Sequence, residues 1–375
     1  MTSYPIQMYD PKREYKEKKE FLDKAIHDVL DHGIFINGPE IKQLEEKLNQ
    51  YVNVKHSIAV SNGTDALKIA LLALNIKPGD EIITVAHTWI STAEVISLIG
   101  AIPVFIDIEE ETFNMNHNKI EEAINDNTKA IIVVSLYGHI ANIDEINKIA
   151  FKYNLPIIED GAQSFGAEYY CKKSCSLTTI GTTSFFPSKP LGCYGDGGAC
   201  FTNDDNIAQK IRAIRSHGGV KRFEHEYIGL NGRLDTLQAS ILNVKLQYFP
   251  EKIDQRNKVA NYYTSKLKDN LKIINNLKLP IIKDSCTHVW AQYSILAKDK
   301  KTRNSIIEYM KENKVNLAIF YPAPLHKQKC FEGICKSFNL DITESVCDKI
   351  FNLPCYAEFK TDEQDYIINL LINFF

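Results

Sequence analysis

One lysine stands apart from the other charged residues of this chain. Lys189 lies in Thr183-Ser184-Phe185-Phe186-Pro187-Ser188-Lys189-Pro190-Leu191-Gly192, and its nearest charged neighbours along the chain are Lys173 and Asp196. A lysine kept from water holds its proton less tightly and becomes a nucleophilic amine, as Schiff-base chemistry with an aldehyde cofactor requires. The competing reading is a lysine that ends a strand and salt-bridges there.

Three further stretches bear on that choice. Ser61-Asn62-Gly63-Thr64-Asp65 falls between an apolar run and a helical pattern. Gly63 lets backbone approach a ligand, and Thr64 with the first helical N–H groups offers a phosphate cradle. A plain helix cap by Ser61, Thr64 or Asp65 would use the same residues. Glu159-Asp160-Gly161-Ala162-Gln163-Ser164 follows the apolar run Leu155-Pro156-Ile157-Ile158. An acid at the carboxyl end of a buried parallel strand suits a cationic ligand such as a pyridinium, and Glu159 is expected to face the other way, toward structure. His87-Thr88-Trp89 ends another apolar run, where Trp89 either stacks on a cofactor ring or serves as a core aromatic. Together the pieces describe pyridoxal phosphate: Lys189 on the aldehyde, Asp160 at the ring nitrogen, and a helix N-terminus at the phosphate.

The elements that must position these residues follow from periodicity. Phe21, Ala25 and Val29 recur at helical spacing before Gly33, and Ile41, Leu44 and Leu48 mark a second helix after the turn Asn37-Gly38-Pro39. From His56 the pattern alternates. Strands are expected at 56–60, 81–86, 103–108, 130–135, 155–159, 183–186 and 198–202. Helices are expected at 64–74, 88–99, 143–153 and 204–216, with a run from Asp235 toward Leu267 that Pro250 must break or kink. Such alternation predicts a parallel sheet covered on both faces, with ligands gathered beyond the strands' carboxyl ends. Beyond about 250 the alternation loosens into strands at 292–297 and 316–320 and helices at 303–311 and 363–371. The expectation is a large domain over 1–250 with an N-terminal arm and a smaller α/β domain over 251–375.

Composition narrows the class. The chain has 375 residues, a net charge of −3 and a pI near 6.4, so no basic footprint argues for nucleic acid. No apolar run reaches the length of a membrane span, and the first residues lack an apolar signal core, so a cytoplasmic protein is expected. The nine cysteines lie largely in apolar runs and suit a reducing compartment, and their spacing does not form a paired zinc-ligand pattern.

Across nearly its whole length, most strongly over Ser61 to Leu67, Glu159 to Gly166, Thr183 to Ala199 and Asn231 to Leu242, the sequence resembles the DegT/DnrJ/StrS family of sugar aminotransferases. The resemblance implies a fold-type I pyridoxal-phosphate transferase, with a mostly parallel seven-stranded sheet in the large domain. It implies Lys189 as covalent anchor and proton shuttle, Asp160 at the pyridine nitrogen and Gln163 beside the ring hydroxyl. It also implies Gly63, Thr64 and Ser184 at the phosphate and Trp89 against the ring face. Asn231 is similar to the asparagine that reaches the phosphate of the neighbouring subunit's cofactor, which implies a homodimer with shared active sites.

Within the family, Cys175 to Thr179, Ser184 to Gly198 and Asn231 to Ala239 resemble a branch that aminates C3 of UDP-linked 3-oxo sugars. Its typical substrate is UDP-2-acetamido-2-deoxy-3-oxo-D-glucuronate, with L-glutamate as donor, on the way to O-antigen and related surface glycans. Arg233 then matches a sugar carboxylate, against a structural ion pair with Asp235. His217, Tyr321 and His326 are further substrate candidates. Phe320 stands where the family often has histidine, which leaves the side chain at 320 without an assigned contact. Alternatives are a 3-oxo-N-acetylglucosamine or keto-6-deoxy sugar substrate, or a non-catalytic regulator on the same fold. A related sugar dehydratase is disfavoured, because those relatives typically carry histidine at the position of Lys189.

Overall fold

The computed structural model describes residues 5–375. Two helices lead in. Helix α1 (Pro11–His32) begins at the Asp10 cap and stops at Gly33, whose φ of 69° is left-handed. Its inward face is Glu14, Leu22 and Val29, whereas Phe21, expected on that face, is 56% exposed. Helix α2 (Pro39–Val52) buries Ile41, Leu44, Leu48 and Val52.

The chain then alternates as its periodicity predicts: β1 (His56–Val60), α3 (Gly63–Ala73), β2 (Glu81–Val85), α4 (Ser91–Leu98) and β3 (Ile102–Ile106). Next come β4 (Thr128–Val134), α5 (Ile143–Lys152) and β5 (Ile157–Asp160), then a two-residue ribbon of β6 (Glu168–Tyr169) and β7 (Lys172–Lys173). Strands β8 (Ile180–Ser184) and β9 (Gly198–Thr202), helix α6 (Asp205–Arg215) and the small hairpin β10 (Gly219–Lys221) and β11 (Glu224–His225) follow. The run from Asp235 toward Leu267 is divided, as expected at Pro250, into helix α7 (Thr236–Lys245) and helix α8 (Phe249–Leu267). Pro250 occupies the first turn of α8, where its missing N–H leaves no bond unmade.

The last third holds α9 (Leu271–Ile274), β12 (Leu277–Lys278), β13 (Tyr293–Ala297), α10 (Lys300–Glu312), β14 (Lys336–Ser337), α11 (Asp341–Lys349), β15 (Ile350–Leu353) and α12 (Thr361–Phe374). The strand expected over 316–320 does not form. That stretch contributes a single bridge, Ala318 to Asn352.

The main sheet has eight strands in the order β1-β9-β8-β5-β4-β2-β3-β14. Strand β9 runs antiparallel to both β1 and β8, and the other pairings are parallel. The strand beyond the expected seven is β14, two residues from the last third laid along the β3 edge. With β1, β8, β5 and β2 all pointing one way, their carboxyl ends open on one edge of the sheet. Apolar clusters fill both faces. Ile69, Ala70, Ile96 and Ile211 pack on one side, and Leu44, Leu48, Phe185 and Leu242 on the other. A separate cluster gathers Tyr263, Tyr293, Met310, Phe351 and Leu371 around the antiparallel sheet β12-β13-β15.

Two devices tie the last third to the main sheet. Asp107, just past β3, accepts the N–H groups of Ile342 and Thr343 at 3.0 and 2.8 Å and so caps α11 from outside its own segment. Lys336 of β14 pairs with Glu81, which also accepts from Asn125 at 2.8 Å. All nine cysteines are free thiols, and no helix among the described residues is long and apolar enough to cross a membrane.

One buried ion cluster holds α1 in place. Glu14 accepts from Lys245 at 2.8 Å and Lys252 at 2.6 Å, with all three side chains at least nine-tenths buried. The Lys245 ammonium also sits 4.1 Å from the ring centre of Tyr194, in the turn that follows Lys189. Burial pushes the Glu14 carboxyl up, but the two ammonium groups outweigh it and hold it at about 2. Replacing Glu14 with alanine strands two buried cations, and a loss of about 3–5 kcal/mol is expected in denaturant unfolding. The wild-type contribution is complete above the ordinary carboxylate value of 4.5 and fades as pH falls toward 2, so the variant's deficit shrinks in that window. A deficit that stays constant between those pH values would show that the ion cluster is not its source.

Candidate active site

Asp160 closes β5 and is 7% exposed. Its Oδ2 accepts from Thr92 Oγ1 at 2.8 Å, and its Oδ1 accepts from the Ala162 N–H at 3.2 Å. No cation lies within ion-pair distance of it among the described residues. Burial raises the carboxyl above its ordinary value, opposed by the Thr92 bond, the Ala162 bond and the charge of Lys189. Glu159 points to the other face. It accepts from Ser174 Oγ at 2.7 Å and the Cys175 N–H at 2.8 Å, and burial lifts it to about 7.

Lys189 follows β8 on a tight turn, its N–H donating to the Phe186 carbonyl at 2.9 Å. The residue is half-buried, and desolvation of its amine lowers the pKa. Asp160 opposes that shift, and no direct ion pair forms between the two or with any other described residue. The strand-end salt bridge considered for this lysine is absent. What stands there is a desolvated amine and a desolvated carboxylate, close enough to influence one another and neither neutralised by contact.

The Ser61–Asp65 turn caps its helix in an unexpected way. Asn62 is the cap, accepting the Asp65 N–H at 2.8 Å, while Ser61 donates to the Asp65 carboxylate. Thr64 is therefore free of capping duty and pairs its hydroxyl with Ser91 Oγ at 2.7 Å. The N–H groups of Gly63 and Thr64 lie in the first turn of α3, where no intrahelical acceptor exists. Ser184 presses against this turn. A Cβ built on Gly63 would lie 2.7 Å from the Ser184 Cβ, and one on Gly198 would lie 2.6 Å from the Asn62 backbone. Gly63, Thr64 and Ser184 are thus brought together around free donors at the positive end of a helix, as an anionic phosphate requires.

Gln163 is fixed from two sides. Its carbonyl accepts the Tyr137 N–H at 2.9 Å, and its amide donates to the Tyr321 hydroxyl at 3.0 Å. Burial holds Tyr321 above the ordinary phenol range, so it acts as a neutral hydroxyl. Trp89 is 57% exposed, with its ring centre 6.2 Å from that of Tyr321. That exposure excludes the core-aromatic reading of Trp89. The donors, the carboxylate and the unpaired amine together fit pyridoxal phosphate.

The remaining candidates lie elsewhere. Arg233 and Asn231 line a cavity of about 420 Å³ with Ser61, Asn62, Asp196 and Gln238, and neither Lys189 nor Asp160 forms part of its wall. Arg233 bridges to Val60 through its backbone, its Nε is buried without a partner, and it makes no ion pair with Asp235. His217 is exposed, next to the β10–β11 hairpin. His326 bonds Glu344 at 3.0 Å and is not joined to the other candidates. At position 320 it is the Phe320 carbonyl that is used, accepting from the Tyr137 hydroxyl.

Thr92, Tyr137 and His87 were not singled out from sequence as cleft residues in their own right. His87 is fully buried, bonded to the Tyr137 hydroxyl at 2.8 Å and depressed to about 3 by burial. A threonine in a helix and a tyrosine in a loop carry no local signal that predicts such long-range partners.

Comparison with known proteins gives a consistent picture. The profile of the DegT/DnrJ/EryC1/StrS aminotransferase family matches residues 16–372. The chain is 44% identical to the UDP-2-acetamido-2-deoxy-3-oxo-D-glucuronate aminotransferase of Pseudomonas aeruginosa, over 98% of this chain and 100% of that one. It is 38% identical to a pleiotropic regulatory protein of Geobacillus stearothermophilus, over 99% and 98% of the two chains. Among solved structures, NtdA of Bacillus subtilis with bound cofactor PMP superposes with a TM-score of 0.91 at 30% identity, covering 100% of this chain and 86% of that one.

The cradle depends on a missing side chain, which a substitution tests. Gly63→Ala forces Ser184 to shift and is expected to cost about 1–3 kcal/mol and to weaken pyridoxal phosphate binding. Adding Ser184→Gly opens the space and restores much of the stability. Thermal unfolding of both variants measures this, and a Gly63→Ala chain as stable as the wild type would show that the contact is not tight.

Proposed function

The chain belongs to the DegT/DnrJ/EryC1/StrS aminotransferase family, and on that footing we propose that it transfers an amino group from L-glutamate to a UDP-linked 3-oxo sugar by a ping-pong reaction. The observation that carries the catalytic half is an unneutralised, desolvated amine and carboxylate together with the close approach of Ser184 to the Gly63 turn. It is a pyridoxal-phosphate-dependent sugar aminotransferase. The sugar is best read as UDP-2-acetamido-2-deoxy-3-oxo-D-glucuronate, the substrate in the name of the Pseudomonas relative. Amination of a 3-oxo-N-acetylglucosamine or keto-6-deoxy nucleotide sugar would use nearly the same cleft.

Bound pyridoxal phosphate supplies an electron sink that acidifies the carbon bearing the amine and carries the amino group between the two half-reactions. The chain's own residues do the rest. The N–H groups of Gly63 and Thr64, with the hydroxyls of Thr64 and Ser184, hold the phosphate. Asp160, held by its bond from Thr92, would meet the ring nitrogen and keep it protonated. Gln163, clamped between Tyr137 and Tyr321, turns its remaining amide hydrogen toward the ring hydroxyl. Trp89 covers one ring face. Lys189 would hold the cofactor through its amine, and the same amine would move a proton from and back to the substrate carbon as general base and acid. A lysine at its ordinary pKa would be protonated at neutral pH, and desolvation is what makes the amine available for the first of these tasks.

Asn231 and Arg233 serve the neighbouring subunit in this reading, which makes the enzyme a homodimer with shared active sites. Their cavity borders the Ser61–Asn62 end of the cradle turn, and Lys189 is not in its wall. Ile36 forms part of its wall, and Ile34, Phe35 and Ile36 are 50%, 46% and 48% exposed, a run of apolar surface that a second subunit would cover. The unpaired Arg233 guanidinium then meets the sugar carboxylate bidentately. His217, Tyr321 and His326 stay as secondary substrate contacts. The separate apolar cluster around β13 supports reading 1–250 and 251–375 as two domains. The enzyme is assigned to the cytoplasm, in surface-polysaccharide biosynthesis.

A regulatory role without catalysis is the second reading, favoured by the name of the Geobacillus relative. Lys189→Ala decides between them. The variant is expected to lose turnover and the borohydride-fixed mass of cofactor while still binding pyridoxal phosphate reversibly. Near-normal turnover would overturn the assignment of Lys189, and a wild-type protein inert toward glutamate would favour the regulator.

Arg233→Met tests the sugar. A rise in KM of roughly 10- to 100-fold is expected for the glucuronate substrate, with little change for an analogue lacking the carboxylate. Equal effects on both would remove the carboxylate from the proposal. Mixing Lys189→Ala and Arg233→Met subunits should recover activity beyond either alone, because a hybrid dimer has one intact site. No recovery on subunit exchange would count against shared sites.

A further inference from the structure

Thr92 lies in the first turn of α4 with no accessible surface. A helical threonine usually turns its hydroxyl back to a carbonyl three or four residues earlier, or out to water. Thr92 does neither. Its Oγ1 donates to Asp160 Oδ2 at 2.8 Å, across from α4 to the end of β5. Thr88 Oγ1, 2% exposed, lies 3.2 Å from Thr92 Oγ1. The Thr92 proton is committed to the carboxylate, so Thr88 must donate to the Thr92 oxygen. A buried chain of two hydroxyls therefore ends on Asp160.

The neighbouring residue reaches the opposite end of the site. Ser91 Oγ bonds Thr64 Oγ1 at 2.7 Å, in the phosphate cradle. Trp89, two positions before Ser91, is exposed with its ring centre 6.2 Å from that of Tyr321. One short segment thus reaches Tyr321, the Gly63–Thr64 turn and Asp160.

We infer that Thr92 is a positioning residue of this enzyme: its hydroxyl, oriented by Thr88, holds Asp160 ionised and aimed into the cofactor cleft. A buried carboxylate bonded to only two donors depends on each of them, and Ala162 N–H supplies the weaker one, at 3.2 Å. Removing Thr92 leaves one oxygen of the carboxylate desolvated and unpaired, favouring the protonated acid. A protonated Asp160 cannot stabilise a cation. The consequence for cofactor binding rests on Asp160 facing the ring nitrogen, as proposed above, whereas the Thr92–Asp160 coupling does not.

Thr92→Val preserves shape and removes the donor, and Thr92→Ser keeps the donor. The first measurement is the melting temperature of the full chain without pyridoxal phosphate, followed from neutral pH into the acid range. Burial already raises Asp160, so its ionised form is the costly one, and loss of Thr92 adds to that cost only where Asp160 is ionised. The gap between wild type and Thr92→Val is therefore expected to be widest near neutral pH and to narrow as Asp160 protonates. Lys189, Glu159, Cys175 and Tyr321 also interact electrostatically with Asp160, but they are common to all the proteins and drop out of the difference. The second measurement is pyridoxal phosphate affinity, expected to fall roughly tenfold or more in Thr92→Val and to return to within a few-fold of wild type in Thr92→Ser.

A gap that does not change with pH, or a Thr92→Ser chain as impaired as Thr92→Val, overturns the inference. A gap that narrows in acid with pyridoxal phosphate affinity unchanged upholds the coupling and sinks the placement of Asp160 at the ring nitrogen. Should Thr92→Val not fold, Thr92→Ala replaces it in the same comparison.

Discussion

Opposite charges that share a desolvated environment ordinarily close into an ion pair, since each repays part of the other's desolvation. Lys189 and Asp160 feel one another's field without touching. The rest of the site can be understood as what keeps them apart and unpaired. Asp160 is held at the end of a buried strand by donors from α4 and from its own loop. Lys189 is held by the turn after β8, whose following residues are packed against the Lys245–Glu14 cluster through Tyr194. The separation stores an unsatisfied electrostatic demand, and a zwitterionic ligand with a cationic ring and an electrophilic carbon satisfies both halves at once. Folding stability alone gives no reason to maintain such an arrangement.

The sheet makes this separation possible. Strands β1, β2, β5 and β8 point the same way, so the residues that follow them converge on one edge although they are far apart in the chain. Each contributes a different kind of group: free N–H groups after β1, an aromatic face after β2, a carboxylate at the end of β5 and an amine after β8. Helix α4 then links the groups laterally through Ser91 and Thr92. Backbone direction thus decides where the chemistry gathers, and helix starts decide how each group is aimed.

Much of this was legible from residue order. Strand 56–60 was placed to the residue, and the helices on either side of Pro250 were anticipated as a break, because proline at a first turn has a local signature. Lys189, Asp160 and the Gly63–Thr64 turn stood out because their neighbours were chemically unsuited to them. The misses share a cause. The 316–320 stretch has the apolar composition of a strand but finds only one bridging residue, since pairing depends on a partner that local sequence does not specify. Phe21 faces solvent because Leu22 takes the inward place beside Val29, which is buried as expected. Likewise Asn62 rather than Ser61 caps α3, and that choice turns on which side chain Asp65 engages. Thr92 and His87 act across tens of residues, beyond the reach of any periodicity.

The strand β14 and the Asp107 cap bear on how such chains can be recombined. A segment that both extends the main sheet and receives its helix cap from the far side of β3 is not a detachable module. A last third grafted onto another chain would keep this strand and helix start only where that chain supplies a β3 edge to pair with and a carboxylate in the place of Asp107. The natural unit of exchange therefore includes the β3 edge and the turn holding Asp107.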